Sequence, residues 1–260
     1  MTPEELLRHY DDGTEWPGAC GTDVHTAYER ALSVREMRIA RGEKPLGYKV
    51  GFTNRTIWPR YGVFAPIWGT VWDSTVTFCE GEGALSLART AHPRIEPECV
   101  FGMARTPPAR ASLDDLFDSI EWIAPGFEIV QSHQAWKFVA ADTVADGGLH
   151  ARLLVGKRIA VREVAGGAAS LEARLAAARV RLKCGNEVKD EGAGASVLDG
   201  PMHALMHFLE VLRDYPGATD LQPGDVVTTG TWTDAWPVKA GEAWTGEFDA
   251  PLARLSVRFS

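Results

Sequence analysis

Arg94-Ile95-Glu96-Pro97-Glu98 leads directly into the apolar run Cys99-Val100-Phe101 and carries the most pointed chemistry in the 260-residue chain. Strand side chains alternate, so two carboxylates at i and i+2 of an extended segment face the same side. Glu128 lies inside a second strand-like apolar run, Gly126-Phe127-Glu128-Ile129-Val130. Burying three carboxylates together is very unfavourable unless something positive neutralises them. A divalent cation is the candidate, because hard cations prefer oxygen ligands.

The elements that must position these groups follow from patterning. The first forty residues read as helix. Thr22-Asp23 caps a segment with Ala27, Tyr28, Ala31 and Leu32 on its apolar side, ending near Gly42. From Leu46 to Phe78 the chain changes to short β-prone runs broken by Gly62, Pro66 and Gly69. A helix is predicted at Ser112, where Asp115 completes a capping box and Leu113, Leu116, Phe117 and Ile120 form one face. Strands are predicted over 126–130, 153–161 and 179–184, with Gly185-Asn186 as a hairpin turn. Pro201 opens another helix, with Leu205, Phe208, Leu209 and Leu212 as its stripe, and strands follow at Val226 and at Leu255–Phe259. The alanine-rich segment 164–178 reads as an insertion. The fold class is α+β, with an N-terminal helical portion over 1–45 and a β-rich body over 46–260.

A chain of this length can bury one substantial core. Its formal charge of −8 argues against a nucleic-acid partner. No apolar stretch is long enough to span a bilayer, and the acidic N-terminus lacks a signal-peptide core. Four cysteines without C-x-x-C spacing read as reduced thiols of a cytoplasmic protein, not as a zinc site or disulfide framework. The nine tryptophans read first as core and subunit-interface packing.

The order of the motifs is more specific than any one of them. Gly47-Tyr48-Lys49-Val50-Gly51-Phe52-Thr53 precedes the Arg94–Glu98 segment. Then come Phe127–Val130 with Ser132, Ala145-Asp146, and Leu221-Gln-Pro-Gly-Asp225-Val-Val-Thr-Thr-Gly230-Thr231. Over residues 25–259 this series resembles the 2-keto-4-pentenoate hydratase and 4-oxalocrotonate decarboxylase group of the fumarylacetoacetate hydrolase superfamily. The resemblance implies a mixed β-sandwich roll, usually a homo-oligomer, and a Mg²⁺ or Mn²⁺ site on Glu96, Glu98 and Glu128. It matches Lys49 to the active-site lysine and places an acidic catalytic residue near Asp73. Ser132, Asp146 and Thr231 fall at substrate-binding blocks. His133, where the group commonly has arginine, reads as a packed or solvated histidine, and Gly147 replaces the group's asparagine. The bulky segment 56–68 and Trp232 and Trp236 suggest a more aromatic pocket than usual.

Three carboxylates leave about half of an octahedral Mg²⁺ shell open, which suits a 2-oxo acid. Charge developing on its C2 oxygen is then stabilised where it appears, and Lys49 would hold or move the proton. The expected activity is hydration of a 2-hydroxy-2,4-dienoate in aromatic meta-cleavage catabolism. Decarboxylation of a 4-oxalocrotonate-like diacid is the runner-up, followed by acylpyruvate hydrolysis or oxaloacetate tautomerisation. A hydrolytic histidine–glutamate pair would fall on His25 and Glu29, in the wrong block and on an amphipathic helix. The non-enzyme alternative is an idle metal-binding subunit of a complex.

Overall fold

The computed structural model describes all 260 residues. Fourteen strands follow one another: β1 Pro45–Gly51, β2 Ile67–Trp72, β3 Val76–Phe78, β4 Glu82–Leu85, β5 Arg94–Met103, β6 Ile120–Val130 and β7 His150–Val155. The rest are β8 Ile159–Ala160, β9 Arg179–Cys184, β10 Glu187–Ala193, β11 Val226–Thr228, β12 Trp236–Pro237, β13 Ala243–Phe248 and β14 Leu255–Phe259. The helices are α1 Pro3–Asp12, α2 Val24–Ala40, α3 Trp58–Tyr61, α4 Leu113–Ser119, α5 Ala140–Ala145, α6 Val161–Val164, α7 Ala168–Ala177 and α8 Pro201–Arg213. No helix is long and apolar enough to cross a membrane.

The strands form two mixed sheets. The larger has the order β2-β1-β11-β5-β6-β7-β3, with β12 beside β5 and β8 beside β6; the smaller is β10-β9-β13-β14-β4. Pairing is antiparallel except for β1 with β11, β3 with β7 and β14 with β4. The long β5–β6 pair is the spine, with Glu96 directly opposite Glu128 and Glu98 opposite Gly126.

Alternation along the spine separates two apolar regions. One face carries a six-residue cluster of Val71, Val100, Ala124, Leu153, Val155 and Val226. The other contributes Ile95, Cys99, Phe101, Phe127 and Ile129 to the main core, shared with α7, α8 and the smaller sheet. Leu6, Trp16, Ala27 and Tyr28 of the N-terminal segment belong to that same core.

Local signals fix several boundaries. Ser112 Oγ accepts the Asp115 N–H at 3.2 Å and Asp115 returns the contact to the Ser112 N–H at 2.9 Å, closing the expected capping box of α4. Pro201 opens α8, and Gly185-Asn186 joins β9 to β10 as the sequence predicts. The N-terminal helix is instead two helices, because Gly13 at φ 64° ends α1 and Asp23 caps α2 by accepting the Thr26 N–H at 2.8 Å. The strand expected over 153–161 is β7 from His150, a break at Gly156, then the two-residue β8. The alanine-rich stretch is no loose insertion: Leu171, Glu172 and Leu175 are buried on α7.

Candidate active site

Spacing on β5 and register with β6 bring the carboxylates together. Glu96, Glu98 and Glu128 each offer an oxygen within 4.8 Å of the others. Glu98 and Glu128 are fully buried, while Glu96 is half-buried and opens onto a cavity of about 760 Å³. Lys49 reaches the same place from β1, burying all but 3 % of its surface and setting its Nζ 3.0 Å from Glu128 Oε2. Its stem is fenced by backbone. A Cβ on Gly148 (φ 70°) would lie 2.8 Å from Lys49 Cδ, and one on Gly69 would lie 1.9 Å from the Gly147 carbonyl oxygen. Only glycine permits this closeness.

Two of the three carboxylates have a distinct further partner. The Gly230 N–H, just after β11, donates to Glu98 Oε2 at 2.6 Å, and Glu98 Oε1 is buried without any partner. His150 Nδ1, at the start of β7, lies 2.9 Å from Glu128 Oε1. Burial pushes the Glu96 carboxyl up to about 7 and the Glu98 carboxyl well above its ordinary value, with the neighbouring glutamates adding to the Glu98 rise. Burial pushes Glu128 upward too, but Lys49 and His150 overcome it and hold that carboxyl below the usual range. Burial alone would lower the Lys49 ammonium; the three carboxylates reverse this and raise it.

One buried cation therefore faces two buried carboxylates and a half-buried third, and an oxygen of Glu98 is orphaned. That is an excess of oxygen donors with a deficit of positive charge, the condition a divalent cation relieves. Hard, all-oxygen donors match Mg²⁺, Mn²⁺ or Ca²⁺ better than thiolate-seeking metals.

The cavity above the trio is walled by Trp136, Trp236, Tyr61 and Phe138, with Arg60, Arg94 and Thr231 also lining it. Arg94 shares the face of Glu96 and Glu98 on β5. Its guanidinium lies 4.1 Å from the centre of the Trp136 ring, and its Nε is buried without a partner. Trp136 is held there by backbone at positive φ (65°), with Ser132 Oγ accepting its N–H at 3.0 Å and its indole N–H donating to the His92 carbonyl at 2.9 Å.

Not every sequence-derived residue joins this constellation. Asp73 is exposed in the turn after β2, where it accepts the Lys44 N–H at 3.0 Å, so its expected catalytic placement is corrected. Ser132 is buried and ties down the 132–136 loop. Asp146 grips His133, at 2.6 Å from Nδ1, and lines a separate cavity of about 50 Å³ between α1, α2 and β2. Thr231 does face the main cavity, though its hydroxyl is engaged by Thr233. His133 is fully buried and stacks on Trp16, as a packed histidine does. His25 and Glu29 are exposed on α2. His150 and Arg94 were not singled out from sequence: a lone histidine before an apolar strand, and an arginine before E-x-E, carry no distinctive spacing.

No protein-family model matches the chain. Among curated proteins, it is 28 % identical over 239 residues to the 2-hydroxyhexa-2,4-dienoate hydratase of Comamonas testosteroni, covering 91 % of this chain and 86 % of that one. It is 26 % identical over 233 residues to a 4-oxalocrotonate decarboxylase of a Pseudomonas species, covering 88 % and 86 %. The solved 4-oxalocrotonate decarboxylase of Pseudomonas putida G7, in complex with magnesium and adipate, superposes with a TM-score of 0.85 at 25 % identity, covering 100 % of this chain and 99 % of that one. In sequence and in fold, over nearly its whole length, the chain is similar to 2-keto-4-pentenoate hydratases and 4-oxalocrotonate decarboxylases.

Proposed function

We propose that the protein is a divalent-metal-dependent lyase that hydrates a 2-hydroxy-2,4-dienoate, acting in aromatic meta-cleavage catabolism as a cytoplasmic homo-oligomer. The observation that carries this reading is the trio Glu96, Glu98 and Glu128 with buried Lys49 at the foot of an aromatic cavity. The three glutamates would hold Mg²⁺ or Mn²⁺. When bound, the ion supplies a Lewis acid that favours negative charge on the oxygens of a 2-oxo acid. Magnesium in the Pseudomonas putida G7 decarboxylase supports that choice of cofactor.

The chain's own residues would supply the proton chemistry. Ketonisation of a 2-hydroxydienoate moves the hydroxyl proton to carbon, and water then adds across the remaining conjugated double bond. Lys49 Nζ is the group placed to hold that proton. In the metal-free protein the three carboxylates keep it charged. The Trp136, Trp236 and Tyr61 walls would align the carbon chain and restrict the water that reaches it. Thr231 is proposed to contact the substrate, and Ser132 to act indirectly by holding the Trp136 loop.

Arg94 favours a second reading, decarboxylation of a diacid by the same residues. Its unpartnered Nε, in a cavity and on the face of Glu96, suits a carboxylate at the far end of a substrate. Incubating the protein with 2-hydroxypenta-2,4-dienoate and with 4-oxalocrotonate, with and without Mg²⁺, tests both. Metal-dependent water addition supports the first reading, and metal-dependent release of CO₂ supports the second. No metal-dependent turnover of either would overturn the proposal.

A further inference from the structure

We propose that His150 is a positioning residue which, with Thr75, fixes the Glu128 carboxylate for metal binding. This rests on the reading of Glu96, Glu98 and Glu128 as the metal site.

The backbone is arranged to deliver this histidine. Between β6 and β7 the register runs regularly from Gly126↔Val155 to Ile129↔Arg152 and then slips, so that Val130 faces His150 and Ala151 is left over. An extra residue in one strand locally re-aims the side chains beside it. Without the slip, Val130 would pair with Ala151, and His150 would fall one residue past the pair. With the slip, its ring reaches back to Glu128, two residues before Val130 on the neighbouring strand.

The hydrogen bonds then determine which ring nitrogen carries the proton. An ionised carboxylate accepts only, so Nδ1 facing Glu128 Oε1 at 2.9 Å carries the hydrogen. Nε2 is then an acceptor, and the Thr75 hydroxyl lies 2.8 Å from it. Thr75 is itself anchored, because its Oγ1 accepts the Trp72 N–H at 3.1 Å, and its single hydroxyl proton is shared between His150 Nε2 and the Trp72 carbonyl at 3.0 Å. Both histidine and threonine are buried, and neither lines the main cavity.

The result is a chain Trp72–Thr75–His150–Glu128 that pins Oε1. Oε2 is thereby left to Lys49, in a carboxylate that offers an oxygen within 4.8 Å of those of the other two glutamates. A carboxylate held at one oxygen loses the torsional freedom that a ligand otherwise gives up on binding metal. Partners of this kind change metal affinity by roughly 10–100-fold when removed.

The test is Mn²⁺ binding, read by calorimetry and by the electron paramagnetic resonance of the bound ion, alongside thermal unfolding of the metal-free protein. His150→Ala should raise the Kd by roughly 10–100-fold. His150→Asn places its amide N–H₂ where Nδ1 was and should recover most of the loss. His150→Gln presents its amide further out, as Nε2 does, and should recover little. Thr75→Val should weaken binding by a smaller factor with the fold intact, which covers the case of an unstable His150→Ala. Wild-type affinity in both His150→Ala and Thr75→Val would overturn the proposal, and so would rescue by Gln equal to rescue by Asn. No Mn²⁺ binding by the wild-type protein would instead remove the metal site on which the proposal rests.

Discussion

The molecule contains two glutamate–histidine pairs built on a buried carboxylate, and only one of them is chemically complete. On α7, Glu172 accepts the Met202 N–H at 2.9 Å with one oxygen and meets His203 Nδ1 at 2.6 Å with the other. It thereby caps α8, whose own N-cap, Gly200, has no side chain to offer. Glu128 has a similar histidine and in addition Lys49, yet it stands beside Glu96 and Glu98, one of whose oxygens has no partner. A carboxylate kept for structure is satisfied by its immediate surroundings. A carboxylate kept for chemistry is left in company that folding alone does not neutralise.

Breaking the incomplete cluster should have the largest effect. Glu98→Gln or Glu128→Gln should weaken Mg²⁺ or Mn²⁺ binding by at least about 100-fold, beyond the range for outer partners; titration calorimetry measures it. Affinity retained in both variants would show that the trio is not the site. Next, Glu172→Ala should cost about 1–3 kcal/mol in chemical denaturation, because it strips the Met202 N–H of its acceptor and α8 of its cap. Its metal affinity should match the wild type, since that pair lies outside the trio. Smaller again is a pH effect. Glu98 is raised above the 4.5 of an ordinary glutamate, so the folded chain holds a proton that the unfolded chain releases as pH rises. Metal-free Glu98→Gln should therefore match the wild type in stability near pH 4 and exceed it increasingly at pH 6 and 8. A gain that is constant with pH would contradict that sign. Smallest of all, Asp73→Asn should change stability by no more than about 0.5 kcal/mol and leave metal binding unaltered, as an exposed turn residue does.

What the sequence made legible follows from what periodicity encodes. Alternation along one strand placed Glu96 and Glu98 on one face, and the apolar flanks of Glu128 marked it as buried. Those inferences needed only local geometry, and the antiparallel register supplied the rest. Asp73 was misplaced because the chain reverses one residue beyond β2, and a turn rotates a side chain away from the face that alternation assigns. Asp146 faces a different cavity because Gly147 and Gly148, both at positive φ, swing the chain between it and Lys49. His150 was invisible because its aim depends on a register slip, which exists only once two strands are paired. The core role of the alanine-rich stretch was equally hidden: alanines pack α7 closely but give no amphipathic contrast. The tryptophans divide between both readings. Trp68, Trp72 and Trp244 are buried in packing, while Trp136 and Trp236 wall the cavity.

The Gly230 N–H that holds Glu98 has a consequence for how the protein is made. The two residues are 132 positions apart, and the β11 strand just before Gly230 wedges between β1 and β5. During synthesis the glutamates and Lys49 leave the ribosome long before the segment that finishes their enclosure. Until it arrives, β1 and β5 lack their shared neighbour, exposing two unpaired strand edges. Such distant closure slows folding and leaves sticky intermediates. Nascent chains stalled before residue 230 should therefore be the ones that engage chaperones, and the metal-binding chemistry should be among the last properties the growing polypeptide acquires.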